Sequence, residues 1–587
     1  MWRWCWLLIW LPELSAQIDT AGGREPTLPP VFIEGEAPLR QKRWRRDSLG
    51  WPAVGPHLIH LLAQTEGVYL RDYGGQGSLK TLSIRGMGAP LSAITLQGLP
   101  LRAPTLGIIN LAPFYLSGLQ EVIFSPGGDL SASPGAIGTL HLRWKPMTRR
   151  AMLAWQAAAF GEIAAEALLE RPHHLLQAAA LSTRNAYPFS VPEKGRREAP
   201  YRYLQATYTY HKNHLHLTSW YYHSEQEIPP PVVIGAPTGP PEYLTQSQLL
   251  HSAEYATPSF TVRLQHHYES LSHQDAWQFH SWSYLHTLQG QVEKTYTLAP
   301  LRLATSLYAA WDYVRSNRMA VGFVPFPTIH QSEIAFIQTL TYPLPKGYLR
   351  AEGRVTALSR FPPQGSCLLR ALWHGIGVEV LRGVRFPSLW ERYWIGYGNP
   401  TLRPEESLQA QLFYEKQRGP WTVYGAIFWA QTRHRIVTLP LSPVRWQAYS
   451  LGYVESIGAE GRITYEHRSL RAWISGTALA ARDYSFTLGT QLPYTPPYTA
   501  AGGLAWGRQP FLLIAQAQYV SWRLSSLAAM PSAVLSPYIL PSLALRYSTP
   551  SYRIEIGAEN LTNTPYQVLQ GYPMPGRRVY LRWEATW

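Results

Sequence analysis

Charge is scarce in this chain. Asp, Glu, Lys and Arg supply 15% of its 587 residues, where a soluble protein carries about 25%. Long apolar runs are missing as well, since no stretch reaches the roughly 20 residues of a membrane-spanning helix. The first shortage speaks against a string of ordinary soluble domains. The second excludes a helical membrane protein. Cysteine is nearly absent: Cys5 lies in a candidate export segment, which leaves Cys367 alone in the mature chain. Neither a disulfide framework nor a Cys-based metal site fits that count. There are seven Asp, none adjacent, so the clustered oxygen ligands of a Ca²⁺ site are not expected.

Aromatic residues are plentiful: Trp 23, Tyr 36 and Phe 16. Few charges, many Trp and Tyr, and no long apolar run suit a transmembrane β-barrel, which dilutes its hydrophobicity by alternation and carries two aromatic girdles. The net charge of +15 is scattered, apart from the run Arg40-Gln41-Lys42-Arg43-Trp44-Arg45-Arg46. Anionic headgroups suit such a balance as well as nucleic acid does, and no nucleic-acid partner is expected. The run is read as facing solvent or headgroups.

Residues 1–16 read as a signal peptide. Arg3 forms a thin positive start, Trp6–Leu11 a short apolar core, and Leu14-Ser15-Ala16 a cleavage site. Three zones follow. Residues 17–50 are Pro-, Gly- and Arg-rich around one extended patch, Val31-Phe32-Ile33-Glu34-Gly35-Glu36. Residues 51–146 read as a compact α/β unit, with a short helix at Leu58–Leu62 and strands at Ala93–Leu96 and Glu121–Phe124 between Gly-rich turns. From 147 to 587 the pattern turns to long alternating segments.

In the last of these, Val579, Leu581, Trp583, Ala585 and Trp587 alternate with Arg578, Tyr580, Arg582, Glu584 and Thr586. Leu408, Ala410, Leu412 and Tyr414 alternate likewise with Gln409, Gln411 and Glu415. Period two with one apolar face means a half-buried strand, here with lipid on the apolar side. Short turns are expected at Arg171–His174, His211–Asn213, Thr257–Ser259, Leu298–Pro300, Pro343–Gly347, His374–Gly375, Arg418–Pro420, His467–Ser469, Arg508–Gln509 and Thr549–Ser551. With eleven longer connections between them they make 22 antiparallel strands. So wide a barrel needs a plug, and residues 51–146 are the segment for it.

At this point the residues resemble a family, the TonB-dependent outer-membrane receptors. Leu61–Val68 resembles the entry of that family's plug. Tyr73–Gly86 resembles the plug's first apical loop and the strand after it. Thr95–Leu101 resembles the next strand, with Gln97 where Asp is usual. Gly135-Ala136-Ile137-Gly138 resembles the closing Gly motif. Arg385–Tyr393 and Gly398–Glu405 resemble the long mid-barrel loop, and Glu559–Asn563 and Gly571–Arg577 the C-terminal pair.

The resemblance implies an all-β transmembrane barrel of 22 strands, with a small N-terminal α/β plug domain inside its lumen. It implies a receptor in the bacterial outer membrane that imports a scarce nutrient and is not an enzyme. No G-x-S-x-G, H-E-x-x-H or P-loop pattern is present. Val31, Phe32, Ile33, Glu34, Gly35 and Glu36 correspond to the TonB box, through which the TonB-ExbB-ExbD complex would act. Asp72, Tyr73, Gln76, Ser78, Arg102 and Thr105 would bind ligand at the plug apices. Arg385, Trp390, Tyr393 and Tyr397 would do so from the outer loops. Arg85 would tie plug to barrel. Trp587 would be read by the barrel-assembly machinery, in a membrane of lipopolysaccharide. No cofactor or metal is expected.

The ligand is narrowed only by analogy. A small chain without room for an added N-terminal domain resembles the cobalamin and ferric-siderophore receptors. Haem receptors of the family place a His near the mid-barrel motif, and none lies between His374 and His434. His266, His267, His273 and His280 cluster around a predicted outer loop and read as polar surface. The alternative is a haem or other metal-complex receptor of the same fold, or a passive outer-membrane channel or adhesin.

Overall fold

In the computed structural model the described residues are 42–45 and 57–587, apart from short breaks at 104–106, 117–118, 145–149, 234, 236–238, 277, 323, 326, 443–444, 486–488 and 527–532. Twenty-two strands close into one antiparallel barrel that begins with Arg150–Ala158 and ends with Arg578–Thr586. Each strand pairs with its neighbours in sequence. The last closes onto the first with Trp583 opposite Trp155 and Tyr580 opposite Ala158. A two-residue piece, Thr490–Gln491, extends one edge without adding a strand to the circuit.

All ten expected short turns fall between consecutive strands, for example between Trp373 and Ile376 and between Arg418 and Trp421. The other end carries the remaining connections. Most are long, and one of them holds the helix Leu389–Tyr393. By the usual asymmetry of such barrels, the short-turn end is periplasmic and the other extracellular.

Alternation sorts the barrel's side chains. Along Glu405–Arg418, Glu405, Ser407, Gln409, Gln411 and Phe413 are buried toward the lumen, while Leu412 and Tyr414 are exposed. Outward-facing Ile163, Leu307, Ile334, Leu369 and Ile474 form an apolar belt of a kind that only lipid covers. Phe260, Trp421, Trp506 and Phe511 stand exposed beside the short turns and make its periplasmic aromatic rim. No helix among the described residues is long and apolar enough to cross a membrane.

The N-terminal unit sits in the lumen. One sheet runs in the order Lys42–Arg45, Leu119–Ser125, Gly138–Trp144, Ser92–Leu96, Leu99–Pro100. A separate hairpin pairs Val68–Asp72 with Lys80–Ile84. The helix Leu58–Leu62 packs its leucines into the same core. The Lys42–Arg45 backbone of the basic run pairs with Leu119–Ser125, placing Arg45 opposite Glu121. An unpaired sheet edge recruits any extended backbone within reach, so pairing rather than charge places this segment.

The plug core continues into the wall. Phe114 stacks on Trp220 at 5.7 Å between ring centroids, and Trp144 on the same Trp220 at 6.3 Å. Gly135 lies against the barrel backbone, where an added Cβ would come within 2.5 Å of the Val384 carbonyl oxygen. Val31–Glu36 lies outside the described residues.

Candidate functional site

The plug's extracellular end carries two loops. The first spans the hairpin turn between Asp72 and Lys80, which face each other in register. Asp72 Oδ1 accepts from the N–H groups of Gly74 and Gly75, both at 3.0 Å, and from the Ser78 hydroxyl at 2.7 Å. The Lys80 ammonium pairs with the other Asp72 oxygen and donates to the Gly75 carbonyl. Asp72 and Ser78 therefore brace the loop from within. Gly77 adopts φ 79° with its α-carbon against Tyr201, where any side chain would overlap the ring.

Tyr73 and Gln76, and Ser78 of the brace itself, line a cavity of about 300 Å³. Leu101–Ala103 and Ile108–Asn110 of the second loop form its other plug wall. Tyr201, Gln226, Gln246, His267 and Glu269 line it from the barrel, and Tyr572 and Pro229 from the outer loops. The Pro-rich outer loop is held over this region, since Arg197 donates to the carbonyls of Pro229 and Pro230 and stacks over Tyr572. Thr105 lies outside the described residues.

Arg102 borders the same cavity but is engaged by the wall. Its guanidinium pairs with Asp312 at 2.6 Å and Glu333 at 2.5 Å. Burial opposes its charge, yet Asp312, Tyr308 and Glu333 outweigh burial and raise its pKa well above the ordinary value. Arg85 makes the second ionic tie. It pairs with Glu460 at 2.9 Å, donates to Gln411 at 2.7 Å and lies over the Phe428 ring.

The mid-barrel residues form a braced outer loop. Ser388 caps the helix Leu389–Tyr393, with Glu391 closing the reciprocal bond. Arg385 holds Glu391 at 2.9 Å and Glu405 at 2.6 Å. Burial pushes the Glu391 carboxyl up, but Arg385 and Ser388 outweigh it and hold it below its ordinary value. Tyr393 is buried among Leu285, Val314, Met319 and Ile329, and its hydroxyl accepts from Arg360 at 2.7 Å. Trp390 packs against Tyr397 with the rings tilted and their centroids 4.1 Å apart. Arg385 borders a second cavity of about 210 Å³, while Trp390, Tyr393 and Tyr397 line neither cavity.

The Trp587 backbone exchanges hydrogen bonds with Ala151, and its side chain is exposed on the lipid-facing side. The outer-loop histidines disperse: His273 pairs with Glu242, His280 with the Ser272 hydroxyl, and Asp275 with Arg318. No grouping of three metal-ligating side chains occurs among the described residues. Sequence reasoning missed the barrel side of the apical cavity. His267, read as polar surface, is instead buried on the cavity wall; with Gln246 and Glu269 it carries the lumen-facing period-two signal, but nothing local marks which lumen positions meet the plug apex.

A closed barrel with a lipid-facing belt, plugged from within and hollowed at its outer end, defines a membrane-spanning barrel of the outer-membrane type. Residues 381–561 match the family model "TonB dependent receptor-like, beta-barrel". Solved structures share the fold over nearly the whole chain. The FrpB iron transporter from Neisseria meningitidis aligns at TM-score 0.75 and 12% identity, covering 91% of this chain and 97% of its own. The siderophore receptor PirA from Acinetobacter baumannii aligns at TM-score 0.74 and 12% identity, covering 93% and 98%. The copper transporter OprC aligns at TM-score 0.73 and 14% identity, covering 92% and 96%. No curated protein matches the sequence.

Proposed function

We propose that this protein binds a scarce nutrient, a ferric siderophore or cobalamin, at its extracellular face and imports it actively into the periplasm. The observation that carries this reading is the apical cavity, walled jointly by plug loops and barrel and set at the end opposite the short turns. A passive channel has no use for a lumen filled by a packed domain tied to its wall at Arg85 and Arg102. In this reading residues 1–16 are the signal peptide, 17–50 a tether with the TonB box, 51–146 the plug and 147–587 the barrel. Barrel-assembly machinery and lipopolysaccharide are its partners in the membrane.

The outer membrane holds no ATP and no ion gradient of its own, so the work of import has to arrive through the tether. Val31–Glu36 adds a strand to the periplasmic coupling protein of the TonB-ExbB-ExbD complex. Strand addition depends on backbone donors, so Ile33→Pro abolishes energised uptake while Ile33→Ala does not. Binding at the apex survives both. Whole-cell binding and uptake of a ferric siderophore panel and cobalamin, measured in one strain, test this. Uptake that persists with Ile33→Pro, or in cells without proton-motive force, returns the protein to a passive channel.

A further inference from the structure

The apical cavity has a charge character of its own. Two carboxylates line it, Glu227 and Glu269. Neither has an ion-pair partner among the described residues. Glu269 is buried and faces neutral amides, Gln246, whose Nε2 donates at 2.7 Å, and Gln248. The cation on the lining, Arg102, is balanced by Asp312 and Glu333, with Arg354 also on Glu333. Lys80, just beneath, is taken by Asp72. The remaining polar lining consists of neutral amides and phenols, such as Gln76, Gln226 and Tyr201.

His267 supplies an independent observation. It is 5% exposed, lines the cavity, and has no hydrogen-bond partner at either ring nitrogen. Its neighbours Gln265 and Glu269 each have partners. A buried polar group without a partner costs stability unless something else satisfies it. Its place on the cavity wall makes a bound ligand that partner.

We propose that the cavity takes a ligand whose inserted end is neutral or cationic and donates hydrogen bonds, to Glu269 and Glu227 with His267 beside them, and that it rejects anionic chelates. An anion here would meet two carboxylates, while the nearest cation without a carboxylate, Arg197, lies at the rim over Tyr572 and is turned to the Pro229 and Pro230 carbonyls; like charges brought together in a desolvated site are strongly unfavourable. An ammonium or hydroxyl group meets acceptors that are already in place. The volume stands at the lower end of small-molecule sites, about 300–1,000 Å³. It accommodates a small ligand or the donor end of a larger one. The inference rests on the import reading above and names the chemistry of its substrate.

The test uses the full-length protein in detergent and two ferric probes. One is a linear trihydroxamate bearing a free ammonium, net charge +1. The other is a tris-catecholate, net charge −3. The trihydroxamate is expected to bind and the tris-catecholate not. Glu269→Gln, close in shape to the original, is expected to weaken the trihydroxamate about tenfold or more, and His267→Ala to weaken it less. Heat-modifiable migration of each variant reports that the barrel has folded. Tighter binding of the tris-catecholate overturns the proposal. So does binding of neither probe, or a trihydroxamate affinity unmoved by both Glu269→Gln and Glu227→Gln. A tris-catecholate preference with energy-dependent uptake removes this inference and leaves the import reading standing. Charge preference without energised uptake does the reverse.

Discussion

The plug meets its barrel differently on two flanks. Against strands Tyr201–Lys212, Leu215–Ile228 and Glu242–Ala256 the contact is largely aromatic and aliphatic: Phe114, Trp144 and Tyr115 pack on Trp220, Tyr222, Tyr203 and Leu250. Against the strands that carry Asp312, Glu333, Glu379 and Glu460 the contact is laced with charge. Arg102 and Arg85 reach outward from the plug, and Glu379 and Arg370 reach inward to the backbone of Gly128. Apolar contacts join that flank too, through Met87, Leu130 and Ile137. The difference matters because the two kinds of bond fail differently. Water that enters a parted ionic seam rehydrates both charges. Water that enters an aromatic contact has nothing to bond. The difference predicts that the charged flank parts more readily than the aromatic one.

Taking away the frame that both flanks share has the largest effect. Deleting Trp587 removes the residue that pairs with Ala151 at the barrel's closure. The amount of heat-modifiable barrel in the outer membrane is expected to fall severalfold; a wild-type level would remove Trp587 from assembly. Next is the charged flank. Arg85→Leu strands Glu460 in a buried site, at a cost of about 3–5 kcal/mol. Limited proteolysis of the plug should accelerate accordingly. Arg85→Leu combined with Glu460→Leu should recover much of the loss, because no unpaired charge remains. A double variant as labile as the single one would show that this seam is not electrostatic.

Phe114→Ala probes the aromatic flank at about 3 kcal/mol. It should loosen the plug with no dependence on salt. Gly77→Ala strains a left-handed residue and presses on Tyr201, at about 1 kcal/mol or more. It should weaken ligand binding while leaving barrel melting unchanged. The smallest effect is acid. Burial favours the neutral form of Asp129, but His141 and Ser131 outweigh it and hold the carboxyl well below the ordinary range. A depressed native pKa gives stability that is complete above the unfolded value, about 4, and is lost as pH falls. Plug protection from protease should therefore decline from pH 5 to pH 3, and less so in Asp129→Asn. A plug equally protected at both values would remove Asp129 from the account.

The barrel was legible because lipid enforces it. Every outward residue has to be apolar, so strands such as Arg578–Thr586 announce themselves by alternation, and the tight turns by their Gly, Pro, Asn and His residues. Charged partners were not legible in the same way. Arg102 was read as a ligand contact, and its partners Asp312 and Glu333 lie more than two hundred residues away. Strand tilt and stagger bring them to one height, and neither is written in any local pattern. Asp72 and Ser78 show a nearer limit. Their short spacing suits a loop that binds something, and equally a loop that binds itself.

The strand lengths draw a shape on the cell surface. Arg150–Ala158 has 9 residues, whereas Trp421–Ser442 and Arg445–His467 have 22 and 23. A tilted crossing needs about 9–11, so roughly half of the longer hairpin stands clear of the membrane, with His280–Leu298 at 19 residues and Thr328–Leu344 at 17 next in length. The opening is a spout with a tall lip and a low sill. A molecule arriving along the surface from the low side meets the Pro-rich loop and the cavity beneath it, while one arriving from the other side meets a wall. A large molecule approaching the surface meets that lip first, and changes there leave the residues of the apical cavity untouched.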